Sequence, residues 1–312
     1  MVHNAKCSDD EFIALFRELK SPAGVARGLN TSQRSVYLRR RSIESRYGLF
    51  LDSEHSLAIP QNAKRSILTV DGYVLVFSDA HFMPGEPSVG FNALLKVIKM
   101  LKPKAIIANG DILDGGSISR FGPMDWSPVA SLRDELEAVQ WHMDKIVKAC
   151  KGLGTFLHRT TGNHDIRFDR RLAGQVPEFK GIGGTCLKDH IPEWTVSWSV
   201  MVNEACMVKH RLQHGGIHSG YNNVLKAGIS TVSGHTHLLE VKGWGDYTGR
   251  RYGVSTGMLA DPDGDQFAYM EDNPVPWCQG FAVLKFQNGR LLPPELCEVI
   301  EGTAYFRGEA IG

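Results

Sequence analysis

Residues 73–81 read Tyr-Val-Leu-Val-Phe-Ser-Asp-Ala-His, an apolar run of strand length that stops on Asp79 and His81. A continuous apolar run this short reads as a strand buried on both faces. In an α/β sheet, ligands gather beyond the carboxyl ends of strands, so an acid and an imidazole placed there converge on one site. The same design recurs along the chain. Phe91, Leu94, Leu95, Val97, Ile98 and Leu101 predict a helix over 91–101, and the strand Ala105-Ile-Ile-Ala-Asn109 then delivers Gly110-Asp111-Ile-Leu-Asp114. After a helix near 131–150, residues 155–159 form a strand ending at Gly162-Asn163-His164-Asp165. A fourth run, Met207 to Leu212, ends at Gln213-His214-Gly215, and a fifth, Ala227 to Val232, ends at Gly234-His235-Thr236-His237. Glycines beside these residues make the close turns that let the next side chain point inward.

Asp, His and Asn at successive strand ends are oxygen and nitrogen donors with no thiolate among them. Such a set suits two divalent ions, Mn first and Fe, Zn or Ni as alternatives, better than Cu(I) or an iron–sulfur cluster. Two cations also relieve the repulsion within a carboxylate cluster. The five motifs, in this order, resemble the calcineurin-like metallophosphoesterases, whose signature is Asp-x-His, Gly-Asp-x-x-Asp, Gly-Asn-His-Asp/Glu, a His-Gly strand end and Gly-His-x-His. The resemblance implies a four-layer α/β sandwich, two mixed β-sheets flanked by helices, over residues 71–312. It implies one metal on Asp79, His81 and His237, a second on Asn163, His214 and His235, and a bridging Asp111. A hydroxide between the ions would then attack phosphorus in line. His164 would protonate the leaving oxygen, with Asp165 orienting its ring, while Asp114 would fix the Gly110 loop.

The amino-terminal end is different. Residues 1–70 carry 11 Lys/Arg against 7 Asp/Glu, a balance of +4, whereas the remainder carries 24 against 27, a balance of −3. Ser8-Asp-Asp-Glu11 is a capping box, Ser21-Pro22 starts a second helix running to about Leu29, and Thr31-Ser32 caps a third reaching Tyr47. Val36, Arg40, Ile43 and Tyr47 share one stripe of that helix, and Gln33, Arg34, Arg39 and Arg41 fall elsewhere. Val25 to Val36 resembles a helix-turn-helix core, with Asn30 where the turn glycine is usual and Thr31 where an aliphatic is usual. The resemblance implies an all-α domain over 1–52 that lays Arg34, Arg39 and Arg41 along a nucleic acid, DNA first. The alternative is a solvated basic face on a docking module. Residues 53–70 read as a linker. A head of this kind on this enzyme type is similar to bacteriophage proteins, which implies the host cytoplasm.

Hydrophobic residues make 42% and charged residues 22%, which excludes wholesale disorder and collagen-like chains. No apolar stretch approaches a membrane span, and the six cysteines contain no Cys-x-x-Cys pair, so a reducing cytoplasm is expected. Arg167 has two readings, a phosphate clamp and an ion pair with Asp169 or another acid. Arg120, in the irregular 117–128 insert with Phe121 and Trp126, and His218 are further candidates for substrate contact. His142, His158, His190 and His210 have no partner motif and read as structural or exposed. Three functions are open at this point: a two-metal phosphodiesterase or nuclease, a phosphomonoesterase or small-molecule phosphodiesterase whose head serves assembly, and an inactive DNA-binding protein on the same fold. Oligomeric state is not readable from the chain.

Overall fold

The computed structural model describes residues 7–19, 21–49, 51, 64–120, 126 and 129–311, and the chain separates into two units, Met1–Gln61 and Asn62–Gly312. In the first unit the caps lie where the sequence puts them. The Glu11 amide donates to Ser8 Oγ at 3.2 Å while Glu11 Oε2 accepts from the Ser8 amide at 2.7 Å. Ser21 and Ser32 accept from the Gly24 and Ser35 amides in the same way. Helices α1 (Asp9–Leu19), α2 (Pro22–Gly28) and α3 (Gln33–Tyr47) bury Phe12, Phe16, Val25, Val36 and Ile43 in one core.

Two residues of α3 depart from the expected stripes. Tyr47, placed on the apolar side, is exposed. Arg39, placed on the cationic face, donates to the Cys7 carbonyl at 2.6 Å, pairs with Asp9 at 3.1 Å and lies over the Phe12 ring. The start of α1 supplies acceptors that a helical wheel does not show. Arg34 and Arg41 are exposed as expected.

The second unit begins with β1 (Ser66–Leu68), β2 (Gly72–Phe77), α4 (Val89–Leu101), β3 (Ala105–Asn109), α5 (Leu132–Ala149), β4 (Phe156–Thr160) and α6 (Asp165–Gln175). It continues with β5 (Thr195–Ser197), β6 (Val200–Val202), β7 (Cys206–Val208), α7 (Ser219–Ala227), β8 (Ser230–Ser233), β9 (Leu239–Asp246) and β10 (Gly249–Thr256). Strands β11 (Gly280–Gln287), β12 (Arg290–Leu291), β13 (Glu295–Ile300), β14 (Thr303–Phe306) and β15 (Glu309–Ala310) close it. They form a nine-stranded sheet, ordered β15-β14-β13-β11-β2-β3-β4-β5 with β12 on β11, and a six-stranded sheet, ordered β1-β6-β7-β8-β10-β9. Both are mixed: β2, β3, β4 and β5 run parallel while β11 is antiparallel to β2, and β8 is parallel to β7 and β10 while β9 is antiparallel to β10.

Side-chain alternation on β2 sets the layers. Val74 and Val76 pack with Val200, Val208, Val232 and Val254 of the other sheet, whereas Leu75 and Phe77 pack with Leu94 and Ile98 of α4 and Met143 of α5. Helix α7 covers the smaller sheet, so closely that a Cβ on Gly253 would lie 1.9 Å from the Gly220 carbonyl. Helices therefore flank two sheets packed face to face. The fifth predicted run is shorter at its start than expected, because Ala227 ends α7. Among the described residues no helix is long and apolar enough to cross a membrane, and the six cysteines are free thiols.

Candidate metal centre

The chain just beyond each buried strand carries the polar side chains. Asp79 and His81 follow β2, Asp111 and Asp114 follow β3, Asn163 and His164 follow β4, His210 follows β7, and His235 and His237 follow β8. These ends are stitched together: the Asp79 amide donates to the Gly110 carbonyl, the His81 amide to Asp111 and the Gly234 amide to His210, each at 3.0 Å. The backbone there is bent into the left-handed region, with φ of 50° at Asp79, 37° at His81, 53° at Asp111, 71° at His235 and 57° at His237. Such a conformation costs a non-glycine residue roughly 1 kcal/mol or more, and its clustering marks a functional constraint. Two neighbouring glycines leave the necessary room. A Cβ on Gly162 would sit 2.0 Å from Asp111 Oδ1, and one on Gly110, itself at φ 82°, would sit 2.6 Å from the His210 ring.

Among the described residues three groups of ligating atoms result, each with its atoms within 4.8 Å of one another: Asp79, His81 and His237; Asp111, His210 and His235; and His81, Asp114 and His164. His81 Nδ1 lies 2.9 Å from Asp114 Oδ1, while its Nε2 is buried without a hydrogen-bond partner. Asp79 Oδ2 accepts the Ser78 hydroxyl and the His235 amide at 2.9 Å, and Oδ1 accepts no hydrogen bond, with His237 Nε2 at 3.3 Å. A ring steered through one nitrogen and bare at the other is the arrangement of ligating histidines. Orphaned buried polar atoms are otherwise rare, so these residues fit a divalent cation. In the second group His210 donates Nδ1–H to the Asn109 carbonyl at 2.8 Å and turns Nε2 toward Asp111 Oδ2 at 3.0 Å and Asn163 Oδ1 at 3.2 Å.

Charge is concentrated accordingly. Burial alone would raise the Asp79 and Asp111 carboxyls, but the His210 charge, helped by His237 at Asp79, outweighs it; Asp79 is held at about 2 and Asp111 lower still. Burial would lower the His210 ring, and the Asp111 and Asp79 carboxylates instead push it up to about 10. His164 is likewise raised against the pull of burial by its bond to Asp114 and the charge of Asp111.

The structure rearranges the sequence-based roles of four residues. His214, expected as a ligand, lies outside all three groups, and its backbone is held by Asn223. The register explains this: Val208 pairs with Val232 in parallel, which sets His210, not His214, level with Gly234 at the start of the Gly-His-x-His turn. The two neighbouring acids exchange tasks. Asp165 accepts the amides of Asp111, Ile112, Leu113 and Gly162 at 2.8–3.3 Å and so fixes the Gly110 loop. His164 is oriented by Asp114 instead, through Nδ1 to its carbonyl at 2.9 Å and its carboxylate at 3.2 Å. Among the described ion pairs none joins Arg167 to Asp169; Arg167 donates to the Asp114 carbonyl at 2.9 Å and places Nη2 3.0 Å from His164 Nε2.

Arg120 and His218 are exposed. Trp126 is fully exposed, and Phe121, like residues 53–63 of the predicted linker, lies outside the described residues. Sequence reasoning missed Glu135, fully buried on α5, which accepts the Gly115 amide at 2.6 Å and is pushed up to about 7 by burial. It also missed Phe267 and Trp277, whose rings stand 5.8 and 4.4 Å from that of His237.

Residues 72–251, more than half of the chain, match the calcineurin-like phosphoesterase family. Among solved structures, a protein serine/threonine phosphatase from Saccharomyces cerevisiae is similar at 13% identity and a TM-score of 0.37, covering 87% of this chain and 97% of its own. A dimetal phosphatase from Danio rerio is similar at 10% identity and a TM-score of 0.36, with 77% and 98% covered. A cold-active protein-tyrosine phosphatase of a psychrophilic Shewanella gives 12%, 0.34, 80% and 83%. No curated protein matches the chain. The match over residues 72–251 spans the strand ends from Asp79 to His237, and on it the chain belongs to the calcineurin-like phosphoesterases, hydrolases of phosphate esters whose fold implies divalent metal ions.

Proposed function

We propose that the protein is a two-metal phosphodiesterase acting on nucleic acid, DNA first, with Mn as the favoured ion. The observation that carries the metal chemistry is the convergence of Asp79, His81 and His237, with His81 Nε2 and Asp79 Oδ1 buried and idle. Asp79, His81 and His237 would hold one ion, and Asn163, His210 and His235 the other, with Asp111 shared. When bound, such ions supply a water ionised near neutral pH and positive charge for the phosphoryl oxygens.

The chain's own residues do the rest. Arg167, half-buried beside the site, is placed to hold a phosphoryl oxygen. His164 holds its Nδ1 proton on the Asp114 carbonyl and turns Nε2 to Arg167 Nη2, so Arg167 must release that nitrogen before it can carry a proton to the leaving oxygen. Asp114 thus aims a ligand, His81, and the acid, His164, with one carboxylate. The basic balance of residues 1–70 and the exposed Arg34 and Arg41 support nucleic acid over a small ester.

The test is to strip the full chain of metal, titrate Mn while counting bound ions, and compare hydrolysis of a generic phosphodiester, a phosphomonoester, and single- and double-stranded DNA. Two ions per chain with diester preference is expected; a monoester preference replaces the reading. Charge reversal at Arg34 and Arg41 should weaken DNA binding and flatten its salt dependence. Unchanged binding would remove DNA from the reading.

A further inference from the structure

The mechanism leaves unused a set of rings that starts at the metal centre and runs outward. Segment 258–279, between β10 and β11, makes its own small core from Met258, Ala260 and Phe267, with Trp277 packed on it. Phe267 stands edge-on to His81 at 5.3 Å and to His237 at 5.8 Å, and Trp277 lies 4.4 Å from His237. Tyr269 ends the series, 6.4 Å from both Phe267 and Trp277. Phe267 is 4% exposed, but Tyr269 is 50% exposed.

Tyr269 therefore rests edge-on against two rings and leaves half of its surface to solvent beside the metal centre. The Tyr269 hydroxyl also feels the site. Burial raises its pKa, and so do the Asp114, Asp79 and Asp111 carboxylates, against the opposing charge of Arg167. An aromatic ring within range of both the acid cluster and Arg167 has the chemistry of a stacking platform. Successive bases of a single strand bind such rings without regard to sequence, because every base has a π-face.

We propose that Tyr269 is a specificity-determining residue, stacking on a planar ring carried by the ester whose phosphate sits at the metal centre, so that nucleoside esters are preferred to aliphatic ones. This rests on the phosphodiesterase reading above. The shared chemistry is an aromatic ring within reach of the phosphate, and a nucleobase is distinguished from a simple aryl group by the substrates chosen.

The experiment compares three diesters on the Mn-loaded full chain: thymidylyl-thymidine, the same dinucleotide without bases, and bis(p-nitrophenyl) phosphate. Wild type, Tyr269→Ala and Tyr269→Phe are measured, and calorimetry follows binding of thymidine 5′-monophosphate and deoxyribose 5-phosphate to each. Loss of the ring in Tyr269→Ala should raise KM for thymidylyl-thymidine by roughly tenfold, as expected for one stacked base. It should leave kcat and the base-free substrate little changed, and weaken thymidine 5′-monophosphate alone, while Tyr269→Phe retains wild-type values. A KM effect confined to bis(p-nitrophenyl) phosphate would overturn the nucleobase assignment. Equal losses on all three diesters, or unweakened nucleotide binding, would overturn the proposal itself. If wild type cleaves no diester, the phosphodiesterase reading fails, and the calorimetric arm still decides whether Tyr269 grips a base.

Discussion

The two cation pockets are built from similar donors but stand in different states. Around Asp79, His81 and His237 the hold is looser: His81 Nε2 has no partner, Asp79 Oδ1 and His237 Nε2 stand 3.3 Å apart, a carboxylate steers His81 from behind, and Phe267 and Trp277 wall the His237 side with rings. Around Asp111, His210 and His235 the donors are engaged with one another, His210 Nε2 lying within hydrogen-bond reach of both Asp111 and Asn163. A cation entering the first pocket meets a bare His81 Nε2 and has to part only the longer Asp79–His237 contact. One entering the second must take over from a buried ion pair, and so must compete with an interaction already worth keeping. The contrast shows that a shared ligand chemistry does not give equal readiness to bind.

The largest effect should come from the carboxylate common to both. Orienting partners of metal ligands typically cost 10–100-fold when lost, so Asp111→Asn should lower hydrolysis by more than about a hundredfold and reduce bound metal, counted by elemental analysis. Next, His210→Ala should remove one ion per chain while His214→Ala keeps both; the reverse result would erase the second pocket as described. Asp114→Asn comes third. It should weaken the first pocket and slow turnover by roughly 10–100-fold while sparing the ion held by His210, measured as Mn affinity and kcat on one preparation.

The smallest effect tests the strand behind the second pocket rather than the pocket. His158 on β4 is buried between Thr195 Oγ1 at 2.7 Å and Ser197 Oγ at 2.8 Å, and burial depresses its pKa from 6.5 to about 4. The unfolded chain therefore takes up a proton that the folded chain refuses. Stability conferred by neutral His158 is full above about pH 6.5 and is lost as pH falls toward 4, by at most roughly 3 kcal/mol. Urea unfolding of His158→Gln should show a flatter acid limb over that window, with the metal content at pH 7.5 unchanged.

Much of this site could be read from the chain because one rule places it: a buried apolar strand, then a polar residue at its end. Asp79, His81, Asp111, Asn163, His235 and His237 all follow that rule and the structure brings them together. His210 breaks it, since β7 ends at Val208 and only the register against β8 sets His210 level with the other donors. Nor could the sequence distribute tasks between Asp114 and Asp165. Both are acids near the same loop, and which of them meets four amides is decided by the turn into α6. Arg39 was misread for a related reason, its acceptors Cys7 and Asp9 being remote in sequence. The rings of Phe267, Tyr269 and Trp277 belong to an irregular segment with no period to reveal the face they share.

The positive φ angles at Asp79, His81, Asp111, His235 and His237 set a limit on engineering. Glycine would relax each of these five positions, yet glycine carries no donor, so the relief is open only to a catalyst willing to give up its ions. Anyone seeking a hardier variant must leave this rim alone and gain heat resistance from distant helices and turns.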